Sequence, residues 1–495
     1  MREGSNAAHE AGIRRACEAL EASESRVTDR RYRLHYHLMP KGGWMNDPNG
    51  LVYFRGEYHA FYQHDPYRPT QGPMHWGHAK SADLVHWEHL PVALAPSEPY
   101  DLDESGSAGG CWSGSAVEDD GKLVLMYTGH VDGGTPPEAQ CLAVSEDGVR
   151  FAKDAANPVI PAPPETGVFG FRDPKVWKRG DTWYAVVGSG LNGKGRALLY
   201  DSRNLREWRY IGVAAESDGT EGNMWECPDL FPLGDGGEHV LIVSPMNMGA
   251  TKTMYMSGTF DYETGTFRRA YAERLDYGFD FYAPQTFRDG RGRRLLLAWM
   301  NIWGAAMPEQ ADGWMGAMTL PRELTLGRDG KLRMRPTEEL RALRIALASS
   351  ASSLAVEEGV SAIPGLRGDA LELVAEWEAG SADAFGLRLR CSPDGSEYTE
   401  IRYDVRERRL VVDRDRSGAG DGGRSEAYVE PAEDGGLRLH VFLDRSSVEV
   451  FAGDGAVTMT NRMYPDPSSL GAAWFAEGGS ARLRTFEAWS LKSIW

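Results

Sequence analysis

Cysteine is scarce in this chain: five in 495 residues (Cys17, Cys111, Cys141, Cys227 and Cys391), odd in number and scattered. That excludes a disulfide framework, and without a C-x-x-C pair it suggests no cysteine metal site. Long apolar runs are also missing, since nothing approaches the roughly 18 residues of a membrane-spanning helix. The N-terminal stretch MREGSNAAHEAGIRRACEALEASES is charged throughout and lacks the apolar core of a signal peptide. There is no N-x-S/T sequon. Positive charge is in deficit, with 54 Lys and Arg against 72 Asp and Glu, a formal net charge of −18. An acidic surface disfavours nucleic acid and anionic membranes as partners. The simplest expectation is a cytoplasmic protein acting on a small molecule, with homo-oligomerisation left open.

Aromatics and glycine are abundant: 15 Trp, 20 Tyr and 58 Gly. That composition suits many short strands and tight turns, and tryptophans can wall a sugar pocket. Ile13, Ala16, Cys17 and Leu20 sit at helical spacing, so a short amphipathic helix is expected over 8–23, within an N-terminal extension 1–31. A repeat follows. Paired apolar runs flank turn glycines at Gly56, Gly121, Gly180, Gly236 and Gly292, which lie 65, 59, 56 and 56 residues apart. A second beat, ending at Trp87, Phe151, Trp208 and Phe267, adds an outer hairpin to each copy. Four strands per copy make a propeller blade, because one such sheet cannot cover its own faces. The reading is all-β: a five-bladed β-propeller over 32–336, a short helical linker over 337–349 and an antiparallel β-sandwich over 350–495. The sandwich rests on period-two segments such as LELVAEW, YTEIRYD and SSVEVFAG.

The repeat places chemistry. Residues at the same end of each inner strand converge on one mouth of a propeller channel. Asp47, Ser113, Asp173, Glu226 and Tyr282 lie 9, 8, 7, 10 and 10 residues before their turn glycines. Carboxylates meeting there among aromatics suggest glycoside hydrolysis, which needs an acid and a base or nucleophile on either side of one bond.

WMNDPNG (44–50), FRDP (171–174) and ECPDLF (226–231) resemble the three signature motifs of glycoside hydrolase family 32, the invertases, sucrose-6-phosphate hydrolases and fructan-degrading enzymes. FYQ (61–63), MHWGHAKSADLVHW (74–87), WSGSA (112–116), YGFDFYAPQTF (277–287), LPREL (320–324) and DRSSVEVF (444–451) support the match, which runs from about residue 32 to the C-terminus. The resemblance implies a five-bladed propeller followed by a sandwich. It implies Asp47 as nucleophile, Asp173 as transition-state stabiliser and Glu226 as general acid/base. Trp44, Asn46, Gln63, Trp112, Ser113 and Arg172 match its sugar-binding positions, with Arg172 expected both to hold Asp173 ionised and to bond sugar. The activity implied is a retaining β-fructofuranosidase on sucrose or sucrose 6-phosphate. An exo-fructanase or fructosyltransferase on short fructo-oligosaccharides is the alternative, and a non-catalytic sugar-binding protein a distant third. One position departs: Gln71 stands where relatives often carry Trp, and Trp76 is the candidate to replace that wall.

Neither a metal nor a cofactor is expected. His75 and His78 have H-x-x-H spacing but no helix to converge it. DLDESGSAGG (101–110) lacks the Gly and Glu of a calcium loop and is expected to be a loop near the mouth. Cys227 is expected to be a small buried neighbour of Glu226. Asp276 and Asp280 are divided evenly between substrate contact and strand-end support.

Overall fold

The computed structural model describes residues 3–495 except 26, 28, 104–108, 235, 250 and 251. It is nearly all β, opened by one helix, Glu3–Glu24. That helix is longer than expected, and its buried face shares Ala16 with the expected one but is rotated from it. His9, Gly12, Ala16 and Ser23 are buried, whereas Ile13, Cys17 and Leu20 remain half-buried. It docks by backbone proximity rather than apolar bulk: a Cβ on Gly12 would come within 2.8 Å of the Ala95 Cβ.

Five sheets occupy residues 43–336, four of them four-stranded and one five-stranded. Their inner strands are Gly43–Phe54, Gly110–Asp119, Phe171–Arg179, Met224–Pro232 and Tyr282–Arg288. Each touches the next, and the fifth touches the first, so the ring closes as a propeller. Trp314–Met315 pairs with Gly43–Trp44 and adds the fifth strand of the first sheet. The inner hairpins turn on pairs such as Arg55-Gly56 (φ 51° and 87°) and Asp120-Gly121 (φ 49° and 74°). Two positive φ values match the strand twist, which explains the glycine beat. Apolar faces of neighbouring sheets pack together, as Phe231, Ile242, Phe281, Leu296 and Leu324 do between the fourth and fifth.

Two six-stranded sheets follow. Their facing sides bury one core containing Trp377, Phe385, Trp474 and Phe486. The linker is shorter than expected. Residues Glu338–Leu343 form a 3-10 turn, and Arg344–Val356 is already a strand, pairing with Ala481–Leu491. Its Ala/Ser-rich sequence hides the period-two pattern because most of its residues face solvent.

Polar groups lock the two domains. Arg322 of the propeller donates to Glu449 at 2.6 Å and to Asp276 at 2.9 Å, all three buried. His37 bridges Asp444 (2.8 Å) and Glu449 (2.9 Å). Arg414 of the sandwich bonds Asp280 at 2.8 Å. Asp276 and Asp280 are therefore structural partners of the domain junction. Within the 101–110 stretch, 104–108 lie outside the described residues. Asp101 is fully buried and paired with Lys153 at 2.6 Å.

Candidate active site

All five inner strands carry an irregularity at one register. The ladder skips Asp47, Ser113, Asp173, Cys227 and Ala283. Four of these precede a proline (Pro48, Pro174, Pro228 and Pro284), and Gly114 takes that place in the second strand. Proline has no N–H to give a ladder and belongs where pairing breaks. Asp173, Cys227 and Ala283 adopt positive φ of 63°, 47° and 48°. A bulge re-aims the side chains beside it. Here it turns the pairs Asn46/Asp47, Trp112/Ser113, Arg172/Asp173, Glu226/Cys227 and Tyr282/Ala283 towards one point. Eight of those ten residues line a cavity of about 400 Å³; Cys227 and Ala283 pack beneath it.

The carboxylates sit in different settings. Asp47 accepts bonds from Ser113 Oγ (2.8 Å) and Asn46 Nδ2 (3.1 Å), with Cys227 Sγ at 3.7 Å. Burial, then the Glu226 charge, push it up to about 6, against those donors. Asp173 Oδ2 accepts the Cys227 backbone N–H at 3.0 Å. Burial raises Asp173 as well, with Arg172 opposing and the charges of Glu226 and Asp47 reinforcing. Glu226 Oε1 is forked by Arg172 Nη2 (2.8 Å) and Nε (3.1 Å), and its Oε2 accepts the Tyr282 hydroxyl. Burial also pushes the Cys227 thiol well up, so it stays a neutral donor.

Most predicted residues meet here, with three differences. Arg172 favours the ionised form of Asp173 by its charge, as expected, but its hydrogen bonds go to Glu226 and, at 3.1 Å, Glu138. Its side chain leaves the bulge on the fourth-strand side, where Glu226 lies. Trp44 does not line the cavity; it is buried, donates to Asn46 Oδ1 at 2.7 Å and stacks on Trp303. Trp76 is no pocket wall either. It is fully buried against Phe61 and Tyr127. Trp303, 40% exposed, lines the cavity together with Gln71 and is the aromatic wall on that side. Gln63 lines it too, held by the Cys111 carbonyl at 2.9 Å. Trp112 stacks on His130 at 3.6 Å. His75 and His78 lie apart, with His78 against Phe61 and His59.

Sequence reasoning placed Tyr282 at the channel mouth without giving it a role, and left Glu138, Lys252 and Trp303 out of the site. The structure puts Tyr282 in the cavity, with its hydroxyl on Glu226. Glu138 has no sequence signal, because it belongs to a neighbouring strand and acts through Arg172. Burial works against its charge, yet His130 and Arg172 hold its carboxyl below the usual range.

Known proteins resemble this chain in sequence and fold. The family model described as "Glycosyl hydrolases family 32 N-terminal domain" matches residues 37–336, and "Glycosyl hydrolases family 32 C terminal" matches 338–490. A sucrose-6-phosphate hydrolase of Zymomonas mobilis is 39% identical, over 97% of this chain and 96% of its own length. A raffinose invertase of Escherichia coli is 41% identical, over 96% and 98%. The structure of a Bombyx mori GH32 beta-fructofuranosidase variant in complex with sucrose superposes with a TM-score of 0.81 at 36% identity, covering 98% of this chain and 99% of that one. With both family models matched end to end and the motif carboxylates gathered in one cavity, the chain belongs to glycosyl hydrolase family 32.

Proposed function

We propose that this protein is a retaining β-fructofuranosidase that hydrolyses sucrose or sucrose 6-phosphate through a covalent fructosyl intermediate. The observation that carries the reading is the bulge register, which brings Asp47, Asp173 and Glu226 to one cavity in three distinct settings. In this mechanism Asp47, steadied by Ser113 and Asn46, attacks the anomeric carbon of the fructosyl unit. Glu226, positioned by Arg172 and Tyr282, protonates the departing oxygen and then takes a proton from the incoming water. Asp173 accepts fructose hydroxyls more strongly as the ring flattens towards an oxocarbenium ion. Double displacement predicts retention. Following the first-formed fructose by NMR should show the β-furanose; an initial α anomer would refute the nucleophile role of Asp47.

Substrate choice rests on one cation. Among the described residues Arg172 and Lys252 are the lysines and arginines lining the cavity, and Arg172 is committed to Glu226 and Glu138. Among the described residues Lys252 forms no ion pair, which leaves it as the positive charge open to a phosphate. The Lys252→Met variant is expected to lower kcat/KM for sucrose 6-phosphate about tenfold, the size of one exposed charge contact. The value for sucrose should stay within about twofold. Equal effects on both substrates would remove Lys252 as a phosphate contact and favour unphosphorylated sucrose. A phosphorylated substrate is available only inside a cell, so this reading goes with a cytoplasmic location.

A further inference from the structure

The same five inner strands build a second cavity, of about 500 Å³, at the other end of the channel. Their downstream portions line it, residues 51–52, 116–118, 175–179, 229–232 and 286–288, joined by Arg294 from the next strand of the fifth sheet. Its charge is inverted. Lys175, Lys178, Arg179, Arg288 and Arg294 face Glu118 and Asp229, in a chain whose net charge is −18. Two of the five are already neutralised: Lys175 lies 3.0 Å from Asp229, and Lys178 lies 3.6 Å from Asp119.

The three arginines have no carboxylate partner among the described residues. Arg179 lies over Tyr262 at 3.9 Å, and Arg294 over Phe231 at 4.6 Å. Arg294 Nη1 reaches only Thr286 Oγ1, at 3.4 Å, and its Nε is buried without an acceptor. Burial pushes this guanidinium down to about 10; Asp229 opposes that and Arg288 adds to it. Clustered cations outnumbering their counter-charges are costly, and an anion between them would relieve that cost. Guanidinium forks suit phosphate oxygens, and the aromatic faces suit a non-ionic body attached to them. The volume suits a small molecule. A long polyanion would also have to approach across an acidic surface.

We propose that the far mouth of the propeller channel is a binding site for a small phosphate monoester, its phosphate held by Arg179, Arg288 and Arg294. The site is separate from the carboxylate cavity and does not depend on the reaction assigned to it.

The test is calorimetric titration of the full chain with glucose 6-phosphate, inorganic phosphate and glucose. Wild type, the double variant R179Q/R288Q and Lys252→Gln are compared. Both arginine positions can be changed without opening the core, since Arg179 and Arg288 are exposed. Glucose 6-phosphate should bind Lys252→Gln at one saturable site, more tightly than inorganic phosphate, and wild type should show that same site besides any product binding in the carboxylate cavity. Glucose should not bind there. R179Q/R288Q should bind glucose 6-phosphate at least tenfold more weakly, with sucrose turnover in phosphate-free buffer unchanged. Undiminished binding in R179Q/R288Q, loss only in Lys252→Gln, or no saturable binding overturns the proposal. Binding of inorganic phosphate as tight as that of the ester overturns the assignment to an ester.

Discussion

Asp47→Asn is expected to lower kcat for sucrose by about 10⁴-fold while the protein stays folded. The amide keeps the shape and the Ser113 contact but cannot form the fructosyl ester. Activity within about tenfold of wild type, measured as glucose release by purified protein, would sink the nucleophile assignment. Two pH effects accompany it. Asp47 is held at about 6 by burial and by Glu226, and only its ionised form attacks. The wild-type kcat/KM should therefore fall as pH drops through about 6. Stability runs the other way. A carboxyl whose folded value lies above its ordinary 3.8 favours the folded state below that ordinary value. The advantage is lost as pH rises through the folded one. Between about pH 4 and 6 the charge becomes a cost, of about 1–2 kcal/mol once its partial exposure is allowed for. Asp47→Asn should thus raise the unfolding midpoint at pH 7 and leave it nearly unchanged at pH 3.5.

The second large effect lies far from the cavity. Arg322 is fully buried and spends its guanidinium on Glu449, Asp276, Thr460 Oγ1 (2.6 Å) and Thr458 Oγ1 (3.3 Å). Arg322→Met retains most of the volume but strands two buried carboxylates at the domain junction. Removing one partner of a buried ionic network costs about 3–5 kcal/mol. Denaturant unfolding should show a loss of that order, and Arg322→Met/Asp276→Asn should recover part of it because one stranded charge is gone. A loss under about 1 kcal/mol would show that water or rearrangement satisfies the site. The neighbouring His37 sets an alkaline limit. Burial opposes its charge, but Asp444 and Glu449 hold it on up to about 9. The stability it contributes is present below pH 6.5 and is lost as pH rises through 9.

Much of this was readable in advance, and the failures share a cause. The hairpin beat exposed the blades because turn glycines and alternating apolar residues are local requirements. Counting back from those glycines gave uneven distances of 9, 8, 7, 10 and 10 residues. The bulge, marked by a proline in four of the five strands, supplies the common reference. Arg172 was paired with its sequence neighbour Asp173, but both face one cavity and the guanidinium bonds Glu226, 54 residues on, and Glu138. Asp276 and Asp280 were divided evenly between substrate contact and strand-end support, because nothing local names their partners. Their partners Thr460 and Arg414 lie more than 130 residues away in the sandwich. Trp76 was one of many tryptophans, and nothing local separated it from Trp303.

By itself, the sequence determined the residue types, their order and the strand pattern: which carboxylates exist, on which inner strands they lie, and that those strands repeat. Those properties follow from short-range chemistry. Tertiary structure alone decided who faces whom. It gave Glu226 rather than Asp173 the arginine's hydrogen bonds, raised Asp47 and Asp173 by burial, placed Trp303 at the wall and gathered unpaired arginines at the opposite mouth. Each depends on groups from different blades or domains closing on one another, where water is excluded and a charge is worth what its neighbours make it.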